Sequence, residues 1–172
     1  FRSAGGIFSI ENPSVYCRFM SNGVGLPFFA ILWFYIKEKG GYTIMANCEA
    51  LIRSILGVDR SNLRPLIYAV EITSDLLFVQ HIAMDDLYVT KNVYPEVARR
   101  MNKSASAAAR QVERLANRCW DVMSAQSLAA KYIGKELVDI HAPSDMLTYL
   151  AFYLHFERPF FEVIEQEPSL LF

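Results

Sequence analysis

Residues 93–120 constrain this chain more than any other segment, because they predict two helices joined by a tight polar turn. Pro95 suits the first turn of a helix, where its missing N–H would have no partner. A polar turn ends that helix, and the Ser104 hydroxyl can cap the next one. The sequence therefore predicts helices at about 95–101 and 105–123, which is the layout of a helix-turn-helix.

The longer of these two helices has two chemically different sides. Apolar residues recur on one side at helical spacing and should pack on the core of the domain; they are Ala108, Val112, Leu115 and Cys119. Polar residues on the opposite side should be exposed; they are Ser106, Arg110, Glu113 and Asn117, flanked by Lys103 and Arg114. Arginine pairs with guanine, asparagine pairs with adenine, and serine contacts bases or phosphates, so the polar side is chemically suited to DNA.

The same segment carries a positive charge that the composition of the whole chain hides. The chain has 17 basic and 18 acidic residues and a net charge of −1. Residues 91–118 contain seven basic and two acidic residues, a net charge of +5, which leaves −6 for the rest. A basic segment in an acidic protein is what phosphate binding by one face requires. The alternative is a solvated helix surface, which is how most charge runs turn out.

Residues 93–120 also resemble a known family. The likeness runs without a gap and rests on Tyr94-Pro95, Glu96, Ala98, Arg99, Arg100, Asn102, Ala105, Ser106, Arg110 and Trp120. These residues resemble the helix-turn-helix of the C-terminal DNA-binding effector domain of the sporulation-initiation (stage zero) response regulator family. Gly57-Val58 resembles the opening of that domain and Pro143-Ser144 its end, so the resemblance covers about residues 46–158.

The resemblance implies a six-helix, DNA-binding transcriptional regulator of spore-forming bacteria, placed behind a phosphoacceptor receiver domain. It further implies paired domains on tandem DNA boxes, hence a homodimer, and contact with an RNA polymerase sigma subunit. The residues that we expect to contact DNA are Arg99, Arg100, Lys103, Ser104, Ser106, Arg110, Glu113, Arg114 and Asn117. Among them, Arg110 is expected at base edges and the other basic residues mainly at phosphates.

The chain departs from the family's pattern at three positions of the second helix. Ala107, Ala109 and Glu113 stand where the family has charged residues, and Glu113 replaces an arginine. A glutamate repels phosphate where an arginine attracts it. Two hypotheses follow: the DNA preference has moved to another sequence, with Arg114 and Asn117 contributing, or the domain now acts through protein contacts, as a dimerising antagonist or a sensor module.

The rest of the chain predicts a mainly α protein, a helical bundle that contains the helix-turn-helix. Apolar residues at helical spacing predict further helices at about 51–56, 63–78, 81–88, 127–134 and 144–156. The expected domain boundaries are an N-terminal extension over 1–45, an effector-like domain over 46–158 and an acidic, aromatic tail over 159–172.

The N-terminal extension predicts two short elements. Two β-prone runs within 7–20, separated by turn residues, favour a small β-hairpin. The apolar run 24–36 is too short to span a bilayer and predicts a helix buried against the domain or across a homodimer; the alternative is a role at a membrane surface. These 45 residues are too few to build a receiver domain. Because the chain opens at Phe1 rather than at methionine, we expect it either to be a fragment of a longer protein or to lack its first residues.

Other residue types predict no second site. Three cysteines, odd in number and not spaced as zinc ligands, indicate free thiols in a reducing, cytoplasmic setting, with Cys119 buried and inert. His81, Asp85 and Asp86 are more typical of a solvated loop than of a metal site. No catalytic motif is present, so we expect no enzyme activity, cofactor or metal.

Overall fold

The structure is a computed structural model that describes residues 47–58 and 60–171. The hairpin expected within 7–20, the apolar helix expected at 24–36 and Cys17 lie outside these residues and stay predictions. Within the described ranges all regular secondary structure is helical. The predicted mainly α fold class is confirmed.

Seven α-helices occur in the described residues. They are α1 (47–56), α2 (Arg64–Phe78), α3 (Tyr94–Met101), α4 (Ala105–Ala125), α5 (Ala129–Tyr132), α6 (Pro143–Phe156) and α7 (Phe160–Gln166). Short 3-10 turns lie at Met84–Asp86 and Pro168–Leu171, and a π-helical turn at Val89–Val93 leads directly into α3.

The ends of these helices follow local chemistry that the sequence already displays. α1 ends at Gly57, which adopts a left-handed φ of 69° and donates its N–H to the Arg53 carbonyl at 2.8 Å. Prolines occupy the first turn of α2 and of α6, where no N–H is needed. The Asp145 carboxylate accepts the Ala142 N–H at 3.2 Å and so caps α6. The predicted bounds of α1 to α6 are confirmed to within a few residues, whereas no helix was predicted at α7.

The prediction of a helix over 81–88 is wrong. His81 has a left-handed φ of 55°, and the flanks of the short 3-10 turn, Ala83 and Leu87, are extended. The Tyr88 N–H donates to the Asn92 side chain at 3.0 Å. Because these backbone groups bond to local partners, the apolar spacing of the segment does not continue as an α-helix.

The core lies where α2, α4 and α6 pack on one another. The predicted apolar stripe of α4 is confirmed, since Ala108, Val112, Leu115 and Cys119 are all buried. Each large apolar side chain buried in this way contributes about 1.5–3 kcal/mol. The stripe therefore sets which side of α4 faces solvent.

The segment expected as an acidic and aromatic tail continues the packed helical structure. α7 places Phe160 and Val163 in an apolar cluster with Phe152 of α6. The rings of Phe152 and Phe160 meet edge to face, with centroids 4.9 Å apart. The Phe161 N–H donates to the Ile133 carbonyl at 3.0 Å, which ties α7 to the turn after α5. The aromatic residues of this segment thus serve the interior, while its acidic residues stay exposed.

A membrane span requires about 20 consecutive apolar residues. Among the described helices, none combines the length and the apolar character that crossing a bilayer requires.

Candidate nucleic-acid interface

The turn between α3 and α4 is built from three residues with separate tasks. Asn102 adopts a left-handed conformation at φ 52° and ψ 50°, which reverses the chain after α3. The Lys103 N–H then donates to the Ala98 carbonyl at 3.0 Å. The Ser104 hydroxyl accepts the Ala107 N–H at 3.3 Å, so the predicted cap of α4 is confirmed. The Ser104 hydroxyl oxygen is therefore used as a hydrogen-bond acceptor by the helix itself.

The exposed side of α4 carries arginines at intervals of one helical turn. Arg110, Arg114 and Arg118 are spaced i, i+4 and i+8, and all three are exposed. A groove of about 710 Å³ runs beside them; it is lined by Ser61, Arg110, Glu113, Arg114, Leu115, Asn117, Arg118 and Asp121. The structure therefore brings four of the predicted residues, Arg110, Glu113, Arg114 and Asn117, to one surface.

The charges on this surface are mixed. Glu113 and Asp121 line the same groove as the three arginines. Arg110 and Arg114 form no ion pair within the described part of the chain. The Arg110 Nε donates instead to the Ser106 carbonyl at 3.3 Å, which uses one of its five donors and keeps its positive charge available to an anion.

Glu113 does not lie where the sequence placed it. It was expected on the exposed side, but it is half-buried, and its Oε1 accepts a 3.2 Å hydrogen bond from the Tyr94 hydroxyl of α3. Burial and the nearby Glu113 charge raise the pKa of Tyr94 above its usual range. The expectation that Glu113 is exposed is therefore wrong, because a side chain at the edge of a helix face can turn toward a buried partner.

The paired arginines of α3 are held by one carboxylate. Arg99 donates two hydrogen bonds of 2.7 Å to Glu96, and Arg100 donates a third at 3.0 Å. Hydrogen bonds from these two guanidinium groups lower the pKa of Glu96 to about 2. The Arg99 side chain is still 74% exposed, so its positive charge lies at the surface beside a compensating negative one.

The remaining predicted residues are exposed but lie outside the groove. Lys103 in the turn and Ser106 in the first turn of α4 are exposed, and Lys103 Nζ donates to the Gln111 side chain at 3.1 Å. The described surface thus splits into the groove on α4 and a separate basic area around the turn and α3. The sequence predicted both as one DNA-contacting set.

Besides Leu115, which was predicted for the buried stripe, three polar groove residues were missed by sequence reasoning. They are Ser61, Arg118 and Asp121. The spacing of Arg118 four residues after Arg114 was a usable signal, because residues i and i+4 share one side of a helix. Ser61 gave no such signal, since it precedes α2 and reaches the groove only through the tertiary fold.

Other reactive groups are buried or scattered. Burial raises the pKa of the Cys119 thiol to about 12, as expected of an inert core cysteine. His81, Asp85 and Asp86 are exposed. The described residues contain no group of three or more histidine, cysteine or acidic side chains placed to hold a metal ion.

Comparisons of the chain with protein-family models, with curated proteins and with solved structures find no match. The function is therefore inferred from the residues themselves.

Proposed function

We propose that this domain binds DNA through the exposed side of α4 and regulates transcription. The observation that carries the proposal is the row of Arg110, Arg114 and Arg118, one turn apart beside Asn117 on a helix whose opposite side is buried. A helix presented in this way fits the width of a DNA major groove. Its guanidinium and amide groups match the edges of guanine and adenine.

The basic residues divide by position in this proposal. Arg110 and Arg114 lie on the side of α4 that enters the DNA major groove, so they contact bases. Lys103, in the turn before α4, and Arg99, on α3, flank that side and bind phosphates. By its resemblance to the sporulation-initiation family, the domain acts in the bacterial cytoplasm as a homodimer on tandem DNA boxes. An RNA polymerase sigma subunit is its further partner.

A second candidate is a domain that acts through protein contacts. It is favoured by the acidic residues placed among the arginines, since Glu96 pairs with both Arg99 and Arg100, and Asp121 lines the groove. Mixed charges of this kind suit a protein partner with complementary charges better than a uniformly negative duplex.

A salt-dependent titration on random and selected duplexes tests the first candidate against the second. We expect affinity to fall steeply between about 50 and 200 mM salt, because phosphate contacts release counterions. Arg114→Ala should weaken binding. The matched control is Arg53→Ala, which removes the same charge from an exposed position on α1. Absence of binding at the lowest salt, or equal loss from both variants, overturns the DNA proposal and favours protein contacts.

A further inference from the structure

The contact between Tyr94 and Glu113 joins the two helices of the candidate interface. Tyr94 is the first residue of α3 and is buried, whereas Glu113 lies in the middle of α4 and is half-buried. The hydroxyl-to-carboxylate distance is 3.2 Å. A hydrogen bond to a carboxylate is stronger than one between neutral groups. The bond therefore favours one arrangement of α4 against α3.

The position of Glu113 around α4 separates it most from Arg114. Successive residues of an α-helix are about 100° apart, so Arg114 points about 100° away from Glu113, whereas Arg110, three residues earlier, is only about 60° away. The buried Ala116 lies on the other flank of Glu113. Glu113 is thus at the edge of the exposed side, next to α3, while Arg114 is near the centre of that side.

We propose that Glu113 is a positioning residue for DNA recognition. By accepting the Tyr94 hydrogen bond with one carboxylate oxygen, it holds α4 in the orientation that presents Arg110 and Arg114 to the bases. This inference rests on the proposed function. It assigns the specificity of the site to Arg110, Arg114 and Asn117, and hence to a DNA sequence with guanines and an adenine at the contacted positions.

The arrangement explains how a glutamate is tolerated beside the side of α4 that is proposed to contact DNA. A carboxylate at the centre of the exposed side would repel the duplex. At the edge of that side, one oxygen of the Glu113 carboxylate instead accepts the Tyr94 hydroxyl hydrogen bond within the domain.

The test compares Glu113→Gln, Glu113→Ala and Tyr94→Phe in the full chain. The readouts are the salt slope and the ratio of Kd on a random duplex to Kd on the preferred one. Glutamine keeps an oxygen that accepts the Tyr94 hydrogen bond, so Glu113→Gln should retain the ratio within about twofold. Glu113→Ala and Tyr94→Phe should each lower the ratio roughly tenfold, and the double variant should lower it no further.

Two results overturn the proposal. If Glu113 faces the duplex, Glu113→Gln and Glu113→Ala will strengthen binding alike and Tyr94→Phe will change nothing. If the bond only stabilises the fold, Glu113→Ala and Tyr94→Phe will lower the unfolding midpoint and leave the ratio unchanged.

A parent chain that binds no duplex contradicts the proposed function instead. A double-mutant cycle in the unfolding equilibrium then tests the contact without DNA. Coupling below about twofold between Tyr94→Phe and Glu113→Ala shows that the contact holds no preferred arrangement.

Discussion

Arg100 Nη1 of α3 lies 3.5 Å from Glu71 Oε2 of α2, and the Glu71 side chain is only 10% exposed. The other carboxylate oxygen, Oε1, is buried without a hydrogen-bond partner. Arg100 also lies over the Tyr68 ring, 5.7 Å from its centroid. One basic residue that the sequence assigned to phosphates therefore links α3 to α2. Because Arg100 contacts Glu71 and Tyr68, its side chain is less available to contact DNA.

The burial of Glu71 predicts a pH-dependent stability. Desolvation raises the pKa of Glu71 from its ordinary 4.5 to about 7, against the lowering effect of Arg100. The folded chain thus binds a proton more tightly than the unfolded one. The associated stability is full below about pH 4.5 and is lost as the pH rises through about 7. Glu71→Gln should remove this loss. The loss amounts to roughly 2–3 kcal/mol in the free energy of unfolding between about pH 4.5 and about pH 7.

Denaturant unfolding at about pH 5 and about pH 8 measures this difference. The control is Glu136→Gln, which changes an exposed glutamate. If the stability of Glu71→Gln depends on pH in the same way as that of the parent chain, Glu71 does not titrate in this range.

Removing Glu96 should release positive charge on α3. Glu96→Gln deletes the carboxylate that pairs with Arg99 and Arg100. We expect tighter binding to random duplexes and a salt slope steeper by up to about one unit, since Glu96 no longer offsets the charge with which Arg99 binds phosphate. Glu165→Gln is the matched control, because it breaks the exposed Lys135–Glu165 pair at 3.9 Å. Unchanged binding by Glu96→Gln would place α3 outside the DNA contact.

Arg110 should contribute to the sequence specificity of DNA binding, and Lys103 to binding of any duplex. Arg110→Ala should cost about 1–3 kcal/mol on the preferred duplex and relax its specificity, because Arg110 lies on the side of α4 assigned to bases. Lys103→Ala should weaken all duplexes alike and lower the salt slope by about one unit. Competition titrations with single-base variants separate the two effects. Equal behaviour of both variants would mean that Arg110 contacts only phosphate.

The turn at Asn102 predicts a contrast between two substitutions. Asn102 has a positive φ of 52°. In this left-handed conformation a Cβ atom crowds the backbone and costs free energy, whereas glycine has no Cβ and avoids that cost. Asn102→Ala should therefore be less stable than Asn102→Gly by about 1 kcal/mol. Thermal unfolding of the two variants checks this. Equal midpoints would indicate that the turn relaxes out of the left-handed conformation.

The packing of α7 predicts that its aromatic residues stabilise the whole helical domain. Phe160→Ala should lower the free energy of unfolding by about 3–5 kcal/mol, because it leaves a cavity beside Phe152. Glu167→Ala, an exposed change in the same segment, should have little effect. Chemical denaturation followed by circular dichroism compares the two. A Phe160→Ala variant as stable as the parent would mean that α7 is dispensable for the core.

Several features of this protein follow from the sequence alone because they depend on residues a few positions apart. The helical spacing of Ala108, Val112 and Cys119 correctly indicated which side of α4 is buried. Ser104 and Gly57 correctly marked a helix start and a helix end. Capping, turns and helical periodicity are local, so nearby residues suffice to predict them.

The tertiary structure alone decided which distant side chains meet. Glu113 pairs with Tyr94 across 19 residues, and Arg100 pairs with Glu71 across 29. Glu113 had been assigned to the DNA-contacting surface by its helical position, and Arg100 by its charge and by the family resemblance. A charged side chain at the edge of a helix can turn toward solvent or toward a neighbouring helix. Which of the two is favoured depends on where packing places the partner and on how far the site is desolvated.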